Sequence, residues 1–496
     1  MRVTLKIERK GNNYLPLRHS LDLYHSRQVE QLIQNVAERM ELGSSQTEKS
    51  FVLLTNALEN YRQEKLDQLK PKPQEKPTMN ALQRAEAMKY LKDKKLLRNT
   101  LDDIAKSGIV GESNNALIAY LAYTSRKRSK PLHIMCMGAS GTGKTYLQEK
   151  VSELIPEEEK IEITSLSDNA FYYFGREELK HKLILIEDLD GAENVLYPLR
   201  ELQSKRRISK TVTLKDNKGN LKTITLKVEG PVCVSGCTTR EKIYEDNANR
   251  CILLYIDDSN TQDLRIMQYQ QKASAGMINA KAEQQIIEKM QNVQRLLQPI
   301  KIINPYAELI DLPQEVFKPR RTLLLLLSFI ETITFYHQYQ RPKKTDPQTK
   351  MQYIESTPKD IEAAFSLLKE VLFSKSDELS KASRKFLEQL KTTVSNGEVF
   401  YTSEVRKKLR LSSSTIHRYI RELKINGYIK YKGGNRSKGY EYEIVDYEEY
   451  QKLKANIDHQ LASIMQKIKG KRVPVSQTYP TSQNGINKAQ EINVLT

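Results

Sequence analysis

The sequence predicts an α/β fold built on a parallel sheet, with helices beyond it and a helix-and-hairpin unit near its C-terminal end. Three observations carry that expectation. Apolar strand-like runs alternate with helical patterns between about 130 and 260, as in a parallel sheet crossed over by helices. The first of those runs, Leu132 to Met137, enters a glycine-rich loop that opens a helical pattern. Residues 382–445 then read as three short helices followed by a glycine-rich hairpin.

The loop Gly138-Ala139-Ser140-Gly141-Thr142-Gly143-Lys144-Thr145 fits the P-loop pattern G-x-x-x-x-G-K-[ST] with no mismatch. Its glycines let the backbone curl so that N–H groups face phosphate oxygens, and the helix from Tyr146 offers its positive end to the same anion. Lys144 is the reader of the β/γ-phosphates and the Thr145 hydroxyl a ligand for Mg²⁺. The motif implies ATP with magnesium as cofactors. Lys182 to Ile186 is a continuous apolar strand ending in Glu187 and Asp188. Two acids closing a buried strand some 40 residues after a P-loop are the Walker B arrangement: one holds the metal, here Glu187, and the next polarises water.

Composition narrows the setting. The chain has 496 residues, a net charge of +19 and 39% hydrophobic residues, enough for real cores and for about three domains. No apolar run approaches a membrane span, and Met1 precedes a short alternating strand rather than a signal peptide. Cys136, Cys233, Cys237 and Cys251 form no C-x-x-C pair and read as core thiols, which points to a reducing, cytoplasmic compartment without a membrane partner. The positive charge is concentrated. Residues 401–440 hold eleven Lys/Arg against two acids, and 205–227 hold eight against one, which favours a polyanion partner.

Taken in order, residues 1–69 read as a small α-rich module: a strand at Val3 to Ile7, then helices at Arg27 to Glu41 and Gln46 to Leu69. Residues 70–80 are a proline- and lysine-rich linker. The P-loop core occupies 81–300, with strands at Lys160 to Thr164, Lys182 to Ile186, Pro231 to Ser235 and Cys251 to Ile256. A hairpin, Ile208 to Leu214 with Leu221 to Val228, carries Lys215, Lys218 and Lys222 at its tip. Gln262 to about Leu297 reads as one long polar helical stretch, and 301–376 as an all-helical lid with helices from Arg320 and from the Thr357-Pro358 cap. In 380–447, Thr402/Ser403 and Ser412 are the expected caps of a helix-turn-helix. The tail 471–496 has no period and is expected to be disordered.

This order of parts resembles the AAA+ ATPases and, among them, the minichromosome-maintenance helicases. Those place a hairpin between Walker B and the next core strand, and their lid has an arginine-headed helix and a T-P-x-D-[IV] helix start, matched here by Arg320 to Leu323 and Thr357 to Ile361. The wording around Glu187 to Gly191 and Asp246 to Arg250 also resembles the ATPase portion of primase–helicase proteins of mobile elements. The resemblance implies Thr238 as sensor 1, Arg250 as an arginine finger and Arg320 or Arg321 as sensor 2 at the nucleotide. The acids read Glu-Asp where the usual order is Asp-Glu, which leaves open which of Glu187 and Asp188 activates water. Nothing in the chain resembles a primase active site, so any priming belongs to a separate primase.

The reading that follows is an α/β AAA+ P-loop core with a helical lid and a C-terminal winged helix-turn-helix, acting as an ATP-driven motor on DNA. It would work as a homo-hexameric ring, with hairpin lysines gripping a single strand in the channel. Duplex would lie against Ser413, His417, Arg418 and Arg421 of the recognition helix and Arg436 and Lys438 of the wing. The alternative is an ATP-dependent DNA-binding regulator or helicase loader that does not unwind, and a winged helix also serves elsewhere as a protein-docking module.

Overall fold

The computed structural model describes residues 2–8, 15–69, 77–164, 169–190, 196–215, 221–239, 249–313, 316–435 and 439–470. The chain divides into two units, Met1–Thr78 with Lys210–Leu226, and Met79–Ser209 with Lys227–Thr496. In the first, β1 (Arg2–Ile7) pairs antiparallel with β2 (Leu17–Asp22), followed by α1 (Ser26–Arg39) and α2 (Ser44–Leu69). Leu32, Val36 and Met40 recur every four residues, so they share one face and bury with Leu21 and Phe51.

The second unit begins with α3 (Ala81–Lys92), α4 (Leu96–Lys106) and α5 (Ser113–Thr124). Asn80 and Gln83 close a capping box over α3, which fixes the helix start. After it come β3 (Ile134–Met137), α6 (Lys144–Ser152), β4 (Lys160–Ile163), β5 (Leu183–Ile186) and α7 (Leu196–Lys205). The hairpin is β6 (Arg207–Lys215) with β7 (Leu221–Glu229); only its base belongs to this unit, buried through Ile208 and Val228, and Lys210–Leu226 count with the first unit. The core closes with β8 (Cys233–Thr238) and β9 (Ile252–Tyr255). The five strands run parallel in the order β4-β5-β8-β3-β9. Strands β3, β5 and β8 are wholly buried, which is why β3 and β5 read as unbroken apolar runs. Strand β8 extends three residues beyond the expected Ser235, because Cys136 and Met137 go on pairing with Cys237 and Thr238.

The polar stretch after 260 is two helices, not one: α8 (Asn260–Ser274) and α9 (Ala280–Leu296) break at Gly276, whose φ is 68°. Beyond them lie β10 (Lys301–Ile303), α10 (Pro319–Tyr336), β11 (Lys344–Thr345), β12 (Gln352–Glu355) and α11 (Pro358–Ser376). This corrects the all-helical 301–376. Strands β10, β12 and β11 form a three-stranded sheet, in pieces too short to display a period of two. Nor is the segment a detached body, since Leu326, Phe329 and Ile333 of α10 share one core with α5 and with β3.

Residues 381–444 form α12 (Lys381–Thr393), β13 (Val399–Tyr401), α13 (Thr402–Lys408), α14 (Ser413–Ile425), β14 (Ile429–Asn435) and β15 (Gly439–Ile444). The strands make an antiparallel sheet, β13-β15-β14, over a core of Phe386, Leu390, Ile416, Ile420 and Leu423. Ser412 caps α14 as expected, accepting from Thr415 N at 3.1 Å. Helix α13 is different: Thr402 and Ser403 do not cap it but begin it, and Tyr401 holds the cap position. A final helix, α15 (Glu449–Gly470), lies outside every expected element. Its Ile457, Leu461, Ile464 and Ile468 join the main core beside α11, so the chain returns to the sheet unit after the hairpin.

Among the described residues no helix is long and apolar enough to cross a membrane. All four cysteines are buried. Three cations of the 126–130 cluster are also internal. Arg126 donates to Tyr123 O and Gln294 Oε1 and pairs with Glu159, Lys127 reaches Gln294 O at 2.6 Å, and Arg128 reaches Ser328 O at 2.7 Å. Burial holds the Lys127 ammonium down at about 8. These charges tie α5 to α9 and α10 and offer nothing to an outside polyanion.

Candidate nucleotide site

The phosphate loop leaves β3 at its buried C-terminal end and enters α6 through Gly143. Gly141 and Gly143 have φ of 81° and 89°, which side-chain-bearing residues rarely adopt, and a Cβ built on either meets nothing within 4 Å. The backbone therefore curls around open space, as a phosphate cradle requires. Gly138 is constrained differently, because a Cβ there would lie 2.8 Å from Thr142 Oγ1. Lys144 is buried and folded over its own loop, with Nζ donating to Ala139 O at 2.6 Å and Gly138 O at 3.0 Å. Ala139 and Ser140 are exposed, and Thr145, half-buried, stands at the first turn of α6. Tyr146 is exposed beside them and donates from its hydroxyl to Gly108 O at 3.1 Å.

Strand β5 brings the acids to the same end of the sheet. Leu183 and Leu185 pack in the cluster that holds Leu147 and Val151 of α6, while Ile184 and Ile186 face the other cluster. By the period of two, Glu187 falls on the α6 face and Asp188 on the opposite one. The placement agrees with Glu149 of α6, whose carboxyl is pushed up by burial and then by the charge of Glu187. Both acids are exposed.

Strand β8 lies between β5 and β3 and ends at Thr238, paired with Met137 just before the loop. A residue that the sequence motifs do not single out completes this corner. Asp190 accepts from Thr238 Oγ1 at 2.6 Å, Thr239 N at 3.0 Å and Thr239 Oγ1 at 2.7 Å. Its own N–H donates to Asp188 Oδ1 at 2.8 Å, so one hydrogen-bonded chain joins Asp188 to the end of β8. The signal for it is the third acid of Glu187-Asp188-Leu189-Asp190, which by itself reads only as part of a turn. Leu189 fills the space above β8 instead. Its Cδ1 would be 2.7 Å from a Cβ on Gly236, so only glycine fits in the strand there. Gln148 links helix to strands, accepting from Ser235 Oγ at 2.9 Å and donating to Ile186 O at 3.3 Å.

Arg250 and Arg321 are elsewhere. Arg250 precedes β9 and Arg321 lies in the first turn of α10, and both line a cavity of about 350 Å³ with Lys130, His133 and Arg206. His133 and Lys130 precede β3, so this cavity is at the N-terminal end of the sheet, a strand's length of about 13 Å from the loop. Arg250 Nε donates to Ser204 Oγ at 2.7 Å. Arg320 is exposed beside it. Neither Arg320 nor Arg321 is brought to the chain's own P-loop.

Of the residues expected to meet DNA, Ser413, His417, Arg418 and Arg421 all lie on the exposed face of α14, opposite buried Ile416, Ile420 and Leu423. Lys424, which the helix-turn-helix pattern does not single out, shares that face. Lys215 and Lys222 belong to β6 and β7 by backbone. Lys218, Arg436, Lys438 and the segment Asp246 to Ala248 lie outside the described residues.

Comparison with known proteins agrees with the class. Residues 81–298, under half of the chain, match the family described as the MTBMA_p00010 P-loop domain. No curated protein matches the chain. Among solved structures, it is similar to a full-length MCM homolog from Methanopyrus kandleri at 12% identity and a TM-score of 0.39, over 61% of this chain and 63% of that one. An arginine-to-alanine variant of Thermotoga maritima RuvB gives 16% identity and 0.24, over 70% and 95%. The C-terminal region of NrS-1 gives 15% and 0.24, over 76% and 79%. Likenesses this loose carry no functional argument. The loop, the parallel sheet and the family match together define residues 81–298 as a P-loop nucleotide-binding domain of the NTPase fold.

Proposed function

We propose that this chain is an AAA+ ATPase that hydrolyses ATP in a ring and acts as a motor on DNA, as a replicative or primase-associated helicase of a mobile element. The observation that carries the reading is the separation of cations from phosphate cradle: Arg250 and Arg321 share a cavity at the end of the sheet away from Lys144. An arginine so placed reaches a γ-phosphate only on a neighbouring copy, the logic of a finger supplied in trans. The order of strands, with β8 and its terminal Thr238 between the P-loop strand and the acid strand, supports the same class.

In this reading Lys144 exchanges its contacts with Gly138 O and Ala139 O for the β/γ-phosphates, at little cost, because both positions satisfy its charge. Thr145 and Glu187 would hold Mg²⁺, which would supply charge neutralisation for the phosphates. Asp188, steadied by the Asp190 N–H, accepts the proton of the attacking water, and Thr238 orients that water. Helix α14 presents its basic face to duplex, with β14–β15 as the wing, and hairpin lysines meet the single strand.

The non-motor alternative, a DNA-binding switch or loader, draws on one observation. The C-terminal module contacts the core directly, through Lys385 to Asp258 at 2.8 Å and Lys381 over the Tyr255 ring at 4.5 Å. The discriminating experiment is ATPase rate with and without single-stranded DNA on the sized oligomer, together with strand displacement. Stimulated hydrolysis with displacement is expected; stimulation without displacement would favour the switch, and a monomer with full activity would remove the ring.

A further inference from the structure

The hairpin β14–β15 carries an aromatic surface that its own fold leaves uncovered. Ile429 faces Ile444 and Tyr431 faces Tyr442 across the ladder, so these side chains, with Tyr440 two residues from Tyr442, share the face turned to the helices. Ile429, Ile444 and Tyr442 are buried there. Tyr431 and Tyr440 continue the same row outward and remain 49% and 42% exposed. Their rings meet edge to face, with centroids 6.1 Å apart and planes at 67°. Tyr431 is held a second time by Tyr442, also at 6.1 Å, and its hydroxyl donates to Gly434 O at 2.9 Å. The pair is thus fixed in place with ring surface facing water.

Its surroundings are cationic. Lys424, at the end of α14, places Nζ 5.9 Å from the Tyr431 centroid, and Arg421 lies one turn earlier on the same exposed face. The exposed positions of α14 include no acid. The one carboxylate of that helix, Glu422, is turned inward and accepts from Ser380 N and Ser383 Oγ. Rigid, half-exposed aromatic rings beside lysine and arginine are what stacks an unpaired nucleobase while holding its phosphate. Bases inside a duplex have no free face to offer, so such a surface selects nucleic acid that has opened.

Resting on the DNA reading above, we infer that Tyr431 and Tyr440 form a stacking step for an unpaired base next to duplex held by α14, so that this module prefers a fork or overhang to closed duplex.

The test uses the full chain and one duplex with and without unpaired thymine arms, followed by fluorescence anisotropy. A 2-aminopurine at the first unpaired position reports stacking directly. Wild type should bind the fork about tenfold more tightly or better, the effect of stacking one base, and should quench the probe. Tyr431→Ala with Tyr440→Ala should erase both effects yet keep duplex affinity, and Tyr431→Phe with Tyr440→Phe should keep both. Should the alanine pair also lose duplex affinity, Tyr440→Ala alone, outside the buried part of the row, must still reduce quenching. Equal binding of fork and duplex by wild type overturns this inference while leaving the DNA reading intact. Fork preference unchanged in the alanine pair also overturns it. Absence of any nucleic-acid binding removes both.

Discussion

The two ends of the five-stranded sheet carry opposite chemistry. At the C-terminal end stand the glycine cradle, Lys144, the exposed acids Glu187 and Asp188, and Thr238 locked to Asp190. At the N-terminal end, Arg250, Arg321, Arg206 and Lys130 line one cavity with a buried, uncharged His133. The first end has the cradle and Lys144 but, among the described residues, no arginine; the second has arginines and no cradle. Half-sites about a strand's length apart cannot close on each other within one chain. In the proposed ring, a contact between copies would join them.

The largest expected effect breaks the first half. Lys144→Ala removes the phosphate-facing charge from a loop whose shape is set by glycines, so the fold should persist and ATP binding or hydrolysis be lost. Calorimetric titration with nucleotide, beside an unchanged circular dichroism spectrum, measures it. Normal turnover by this variant would remove the loop from the site. Arg250→Ala breaks the second half: ATP affinity should be unchanged and hydrolysis about a hundredfold slower or more. Mixing it with Lys144→Ala subunits should restore part of the rate, since some interfaces then join an intact cradle to an intact arginine. No recovery on mixing would place Arg250 in a merely structural role.

Asp190 sharpens the comparison from within the cradle end. Its carboxylate takes three hydrogen bonds from Thr238 and Thr239, so it positions the end of β8. Asp190→Asn loses one acceptor and should slow turnover about tenfold with KM for ATP unchanged. A rise in KM alone would mean that Asp190 shapes the pocket and not the water.

Legibility followed the strength of the local pattern. The P-loop, the acid strand and the basic face of α14 are readable because each ties residue type to fixed spacing: glycines where φ turns positive, a wholly apolar strand, arginines at positions 418 and 421. What escapes such reading depends on partners far along the chain. Strand β10 is three residues long and exists through its pairing with Tyr353, Ile354 and Glu355. Helix α15 is the exception, because its apolar stripe at Ile457, Leu461, Ile464 and Ile468 is a clear helical signal that lies in the sequence itself. Which end of the sheet Arg321 stands at is a matter of where α10 starts, and no residue spacing encodes that.

The smallest effect tests how the cationic end treats a further charge, at His133. His133 is fully buried, accepts at Nδ1 from Val234 N at 3.3 Å, and is held down at about 4, by burial first and also by Arg250. The sign follows from counting protons. Between about 4 and the ordinary value near 6.5 the folded imidazole is neutral and the unfolded one is protonated, so unfolding takes up a proton and acidification favours it. Stability should therefore rise with pH across that window. Between pH 7 and pH 5 the wild type should lose about 2 kcal/mol through this group, and His133→Gln, which keeps an acceptor but cannot titrate, should lose that much less. Urea midpoints of both proteins at the two pH values give the difference. Equal losses would mean that His133 takes its proton without unfolding the chain, and that the pocket around Arg250 is open enough to solvate a further charge.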